Sequence, residues 1–173
     1  MNYKIEAIDF LLNEECILQR FYPLIQYKKI LMHNFLNNGY LSKEDCLSLS
    51  DNVLIQMGLP DTDMVHLFRS FLCMYDVKTS KMKEIVKVCE NEEEKILFQQ
   101  LYLLPGVKAV RARLYASANY TDLFKISAAS PQQIISDTEK VITQNRLNIK
   151  VPLLKEVRTH IAVAKMLTEY KFN

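Results

Sequence analysis

Leu104-Pro105-Gly106-Val107-Lys108 runs directly into Ala109-Val110-Arg111-Ala112-Arg113-Leu114-Tyr115. A tight hairpin that feeds a helix in this way is suited to holding an anion. The first N–H groups of a helix have no partner inside it and lie at the positive end of its dipole, so a phosphate oxygen docks against them. The expected binding residues are Gly106, Val107, Lys108, Arg111 and Arg113. Backbone amides of the first three would hold the phosphate, and the three cations would add screened attraction that carries no base information.

No other group of residues suggests chemistry. Cys16, Cys46, Cys73 and Cys89 are widely spaced, without a C-x-x-C pair or a nearby histidine, so they read as reduced core thiols rather than as a zinc or redox site. His33, His66 and His160 sit far apart in helical patterns and are expected to be structural or surface residues. Glu90 and Glu92-Glu93-Glu94 precede an apolar run, where carboxylates favour a helix start. No catalytic residue, metal or cofactor is expected, and the chain reads as something other than an enzyme.

At about 100° per residue, Val107, Val110 and Leu114 share an apolar face of the helix. Lys108 and Arg111 flank one side of it, three residues apart and within reach of one phosphate strand, with Arg113 on the other side. Ala109, Ala112 and Ala116 form a small-residue stripe for close helix packing. Phe21, Phe35, Phe68, Phe71 and Tyr115 fall at helical spacing among aliphatic neighbours and are assigned to the core.

The elements that must position these residues are helices. The expected spans are 5–22, 27–38, 42–48, 52–57, 62–77, 80–90, 93–103, 107–118, 121–127, 131–146 and 153–170. Gly39 and Asn119 close helices in the left-handed conformation. Ser42 and Thr121 serve as N-caps, and Ser130-Pro131-Gln132-Gln133 forms a capping box with proline at the first helical position.

Shifting the chain by 80 positions aligns Ile5, Glu14, Gln19, Tyr22, Leu24, Lys28 and Tyr40 with Ile85, Glu94, Gln99, Tyr102, Leu104, Lys108 and Tyr120. The pattern predicts an all-α protein of two similar multi-helix units packed together, residues 1–79 and 80–173. Beyond Tyr40 the alignment calls for small gaps. Cut after Thr79, the first part holds seven Lys/Arg against ten Asp/Glu, a net −3, and the second fifteen against ten, a net +5. Any polyanion should therefore prefer the second unit.

Leu104-Pro105-Gly106-Val107 followed by Ala112 resembles the helix-hairpin-helix motif, whose usual form is L-P-G-h-G with a small residue four positions on. The continuation from Ala118 to Ile134 resembles the downstream part of such domains, with a turn, a short helix and a small-x-[SD]-P cap in order. The arrangement is similar to that of uncharacterised bacterial proteins that carry this domain in tandem. In the first copy, Leu49-Ser50-Asp51-Asn52-Val53-Leu54-Ile55-Gln56-Met57-Gly58-Leu59 is similar to the later half of sterile alpha motif domains. Lys108 stands where the family's hairpin has its second glycine, and the first copy, Leu24-Ile25-Gln26-Tyr27-Lys28, has neither proline nor glycine. The resemblance implies a purely structural hairpin there.

Two functions follow as expectations. The first is weak, sequence-independent binding of a DNA or RNA backbone by an accessory module. The second is a protein-interaction or self-association module, in which acidic and basic halves pair head to tail with another protein or with the chain itself. No apolar run is long enough to cross a membrane, and Lys4, Glu6 and Asp9 interrupt the N-terminal apolar residues. A cytoplasmic location without membrane attachment is expected.

Overall fold

The computed structural model describes residues 2–76 and 79–171, with backbone alone for 79–83. Among them there is no β-strand, only two isolated bridges, and the protein is all-α. The chain divides into two compact units, the first reaching Asp76 and including the residues from Glu169 onward, the second running from Val77 to Thr168. The expected cut after Thr79 falls beside residues 77 and 78, which lie outside the described residues.

In the first unit the expected helix 5–22 is broken. A 3-10 turn, Ile5–Ala7, leads into α1, Ile8–Leu11. Asn13 then reorganises the backbone, its side chain accepting from the Glu15 N–H and its carbonyl from the Cys16 and Ile17 N–H groups. A further 3-10 stretch, Gln19–Tyr27, contains Pro23 and continues into α2, Lys28–Asn37. The break falls at Leu12, whose φ of −84° and ψ of 70° leave the helical region, and Pro23 lacks the N–H that an α-helix through 19–27 would need. Then come α3, Lys43–Ser48; α4, Asp51–Gln56; and α5, Thr62–Leu72. Phe21, Phe35, Phe68 and Phe71 are fully buried against one another, with Phe35 and Phe68 rings stacked at 5.9 Å. The returning chain joins this unit through the Lys4 N–H, which donates to the Tyr170 carbonyl at 2.7 Å, and through the Phe10 and Tyr170 rings.

The second unit holds α6, Thr79–Val88; α7, Glu92–Leu101; α8, Ala109–Ser117; α9, Leu123–Ala128; α10, Pro131–Gln144; and α11, Leu154–Thr168. Within it α11 packs on α9 and α10, α10 on α8, and α8 on α7. Phe98, Leu101, Leu104, Ala112, Tyr115, Ile126, Ile134 and Val157 make its core.

Backbone details recur eighty residues apart. Gly39 and Asn119 have φ of 76° and 68°, and in each case the next N–H, of Tyr40 and Tyr120, donates five residues back, to Phe35 and Tyr115. The rings of both pairs meet edge-on at 6.4 Å. Ser50 and Ser130 cap α4 and α10, and the same shift relates the starts of α3 and α9. The gaps expected after Tyr40 are therefore not needed before Leu54 and Ile134. The length difference arises in α10, which has 14 residues against 6 in α4.

Three local readings need correction. Asp122, not Thr121, caps α9, because its carboxylate accepts from the Lys125 N–H at 2.8 Å. The Ser130 cap receives the Gln133 N–H, but the Gln133 side chain turns to Asp137; the reciprocal box is made instead by Ser42 and Asp45. Only Cys16 and Cys46 are buried, whereas Cys73 is exposed and Cys89 half-buried, so two of the four thiols lie outside the core.

Candidate nucleic-acid interface

The Leu104–Lys108 corner is built from both sides. Leu104 and Val107 are buried and anchor it in the core, while Gly106 between them is exposed at φ +74°. Nothing lies within 4 Å of where a Gly106 Cβ would stand, so the outer side of the turn is open. The Val107 N–H is occupied, donating to the Leu104 carbonyl at 3.3 Å. Beneath the turn, buried His160 of α11 hydrogen-bonds to the Pro105 carbonyl at 2.9 Å and to the Tyr115 hydroxyl at 2.7 Å.

Lys108 is the N-cap of α8, exposed and extended in backbone, and its side chain makes no capping bond. The first N–H to reach back within the helix is that of Ala112, which donates to the Lys108 carbonyl at 2.9 Å. The preceding N–H groups therefore have no acceptor within the helix. That of Ala109 faces the buried Tyr102 hydroxyl, whose pKa is raised by burial and by the Glu84 carboxylate and partly held down by this contact. The N–H groups of Val110 and Arg111 are the other two first-turn donors without an acceptor inside the helix.

The cations separate. Arg111 is drawn to α11, where its Nε lies 2.9 Å from Glu156 and its Nη1 donates to the Lys150 carbonyl at 3.0 Å. Arg113 turns to the opposite flank. Its Nε donates to Glu94 at 2.7 Å, its Nη2 to the Val88 carbonyl at 2.9 Å, and its guanidinium stands 5.7 Å over the Phe98 ring. This hydrogen bond from Arg113, together with the Glu90 N–H, holds the Glu94 carboxyl below its ordinary pKa. Lys108 alone of the three expected cations extends to solvent without a protein carboxylate among the described residues. The Lys150 backbone is tied to α8 through its carbonyl, which accepts from Arg111, and its side chain is exposed.

The apolar face expected on α8 is likewise split, with Val107 and Leu114 buried and Val110 60% exposed. Ala112 is buried and Ala109 and Ala116 are half-buried. Sequence reasoning missed His160, Tyr102 and Glu156, whose partners lie 55, 7 and 45 positions away. Spacing along the chain carried no signal for them. In the first unit the equivalent run lies in the Gln19–Tyr27 turn, which enters α2 with right-handed backbone at Lys28. The Lys28 ammonium there is held by the Asp9 carbonyl at 2.7 Å and the Asp9 carboxylate at 3.3 Å.

Fold and site together define an all-α protein with one open glycine corner at a helix start. No family model, curated protein or solved structure matches the chain. Among the described residues no helix is long and apolar enough to cross a membrane.

Proposed function

We propose that the second unit is an accessory nucleic-acid-binding module that holds a backbone phosphate of DNA or RNA at the Gly106–Lys108 corner. The observation that carries this reading is Lys108 itself, an exposed N-cap cation whose side chain leaves the helix start open beside an exposed positive-φ glycine. The phosphate would accept from the first-turn N–H groups of α8 and pair with Lys108. Arg111 and Arg113, already held by Glu156 and Glu94, contribute little. Such a site neutralises about one or two phosphates, so binding is weak and its logarithmic salt slope is shallow, about −1 to −2.

The test is fluorescence anisotropy of labelled duplex DNA, single-stranded DNA and RNA at low and moderate salt. Salt-sensitive binding that Lys108→Glu removes and Arg113→Gln leaves in place is the expected result. Absence of binding at low salt, or binding that Lys108→Glu leaves unchanged, overturns the proposal.

A further inference from the structure

A second surface lies on the flank of α8 turned away from Lys108. Val110, Leu114, Leu147 and Ile149 line an apolar groove of about 310 Å³, closed at one edge by Arg113 and Ser117. Its floor is buried Leu114 and its rim carries exposed Val110 and Leu147. Arg113 and Ser117, one helical turn apart, are also the wall of an adjoining groove of about 440 Å³, and Glu90, Glu93, Glu94, Leu97 and Phe98 line that one. The two grooves form an apolar trough and an acidic trough on either side of one side-chain ridge.

The acidic trough keeps a surplus of negative charge. Three carboxylates stand against one guanidinium, and although Arg113 engages Glu94 closely, Glu90 is 3.5 Å away and 80% exposed. The apolar trough is held open by the residue 147–150 loop, which turns at Arg146 with φ +50° and is fastened to α8 by Arg111 at the Lys150 carbonyl. Arg111 is thus a positioning residue for this wall.

The geometry points to a short protein segment as the occupant, one that places an aliphatic or aromatic side chain in the Val110–Ile149 trough and a lysine or arginine against Glu90 and Glu93. Charge complementarity selects this partner. An apolar side chain fills the first trough, whereas the second disfavours anions and repels a nucleic-acid backbone. The two anchors lie on the order of 10 Å apart, the width of a helix, a span that a polyproline II segment covers in about one turn of three residues, which also returns both side chains to the same side. The recognition pattern is therefore an apolar residue, two intervening positions and a basic residue. This gives the protein-interaction alternative a specific surface and does not rest on the phosphate reading.

Random short peptides displayed on phage and selected against the full chain test it, with the winning sequences synthesised and their affinities measured by fluorescence anisotropy. Enriched peptides are expected to carry the apolar and basic pair at that spacing. Their binding should weaken about tenfold or more in Val110→Asp and in the Glu90→Lys, Glu93→Lys double variant, and fall with added salt. Lys108→Glu should leave it unchanged, which separates this surface from the phosphate corner. All four substitutions replace exposed residues, and circular dichroism verifies that each variant is folded. No enrichment, or winners that bind every variant equally, overturns the proposal. So does a molar mass that rises with concentration and that Val110→Asp abolishes, because the trough would then belong to a second copy of the chain.

Discussion

The Nε2–H of His160 donates to the Pro105 carbonyl at 2.9 Å. A carbonyl only accepts, so the proton resides on Nε2, and Nδ1 accepts from the Tyr115 hydroxyl at 2.7 Å. One imidazole therefore joins α11, α8 and the hairpin, and it holds the outward face of Gly106 in place from beneath.

His160→Phe keeps a ring in that space but takes the donor away from the buried side of the Pro105 carbonyl. Stability of the second unit should fall by about 1–3 kcal/mol. Tyr115→Phe should cost about 1 kcal/mol or somewhat more, and the double variant should cost less than the sum, since both remove the same contact. Urea unfolding measures all three, and hydrogen exchange at the Val107 amide reports the turn directly. Strictly additive losses would show that the two side chains act independently.

Gly58 and Gly106 should respond differently to alanine. Gly58 has φ +119°, and a Cβ there would stand 2.8 Å from Ile30 Cγ2, so strain and a clash combine. Gly106 has φ +74° and open space, leaving only the left-handed penalty of about 1–2 kcal/mol. Asparagine already occupies that conformation at Asn119, so Gly106→Asn should be milder than Gly106→Ala. Thermal denaturation of the three variants ranks them, and a larger loss for Gly106→Ala than for Gly58→Ala would contradict the geometry. If the corner binds phosphate, Gly106→Ala also weakens binding, because its methyl group fills the open side.

Acid should destabilise both units. Hydrogen bonds from Arg113 hold Glu94 below its ordinary pKa, and those from Gln133 and Tyr120 do the same for Asp137. Burial pushes Asp76 the other way, but the hydrogen bond and charge of Lys43, whose ammonium lies 2.5 Å away, outweigh it. A carboxyl with a lowered folded pKa contributes stability that is complete above its unfolded value, about 4, and lost as the pH falls through the folded value. Tm should hardly change between pH 7 and about pH 5 and then decline below about pH 4. Asp137→Asn should lower Tm at neutral pH and flatten the acid decline. A profile that the substitution leaves parallel to the parent would assign the acid sensitivity to other groups.

The helical punctuation was largely legible because it is local. Ser42 and Ser130 each cap through an N–H three residues ahead, and Gly39 and Asn119 turn the chain within one residue. The reading failed at 5–22, where apolar periodicity outweighed Asn13. Caps and periodicity compete there within one window, and only the full set of backbone hydrogen bonds shows which prevails. Thr121 and Asp122 illustrate the same limit, since both types cap well and the backbone conformation selects Asp122.

By itself the sequence determined that the protein is helical, where most helices begin, and that a glycine corner precedes a helix rich in cations. These follow from interactions spanning four residues or fewer. Only the tertiary structure decided which cations remain available, because Glu156 and Glu94 reach Arg111 and Arg113 across 45 and 19 positions while Lys108 meets neither. Charge is a property of a residue, but its neutralisation depends on neighbours that folding supplies.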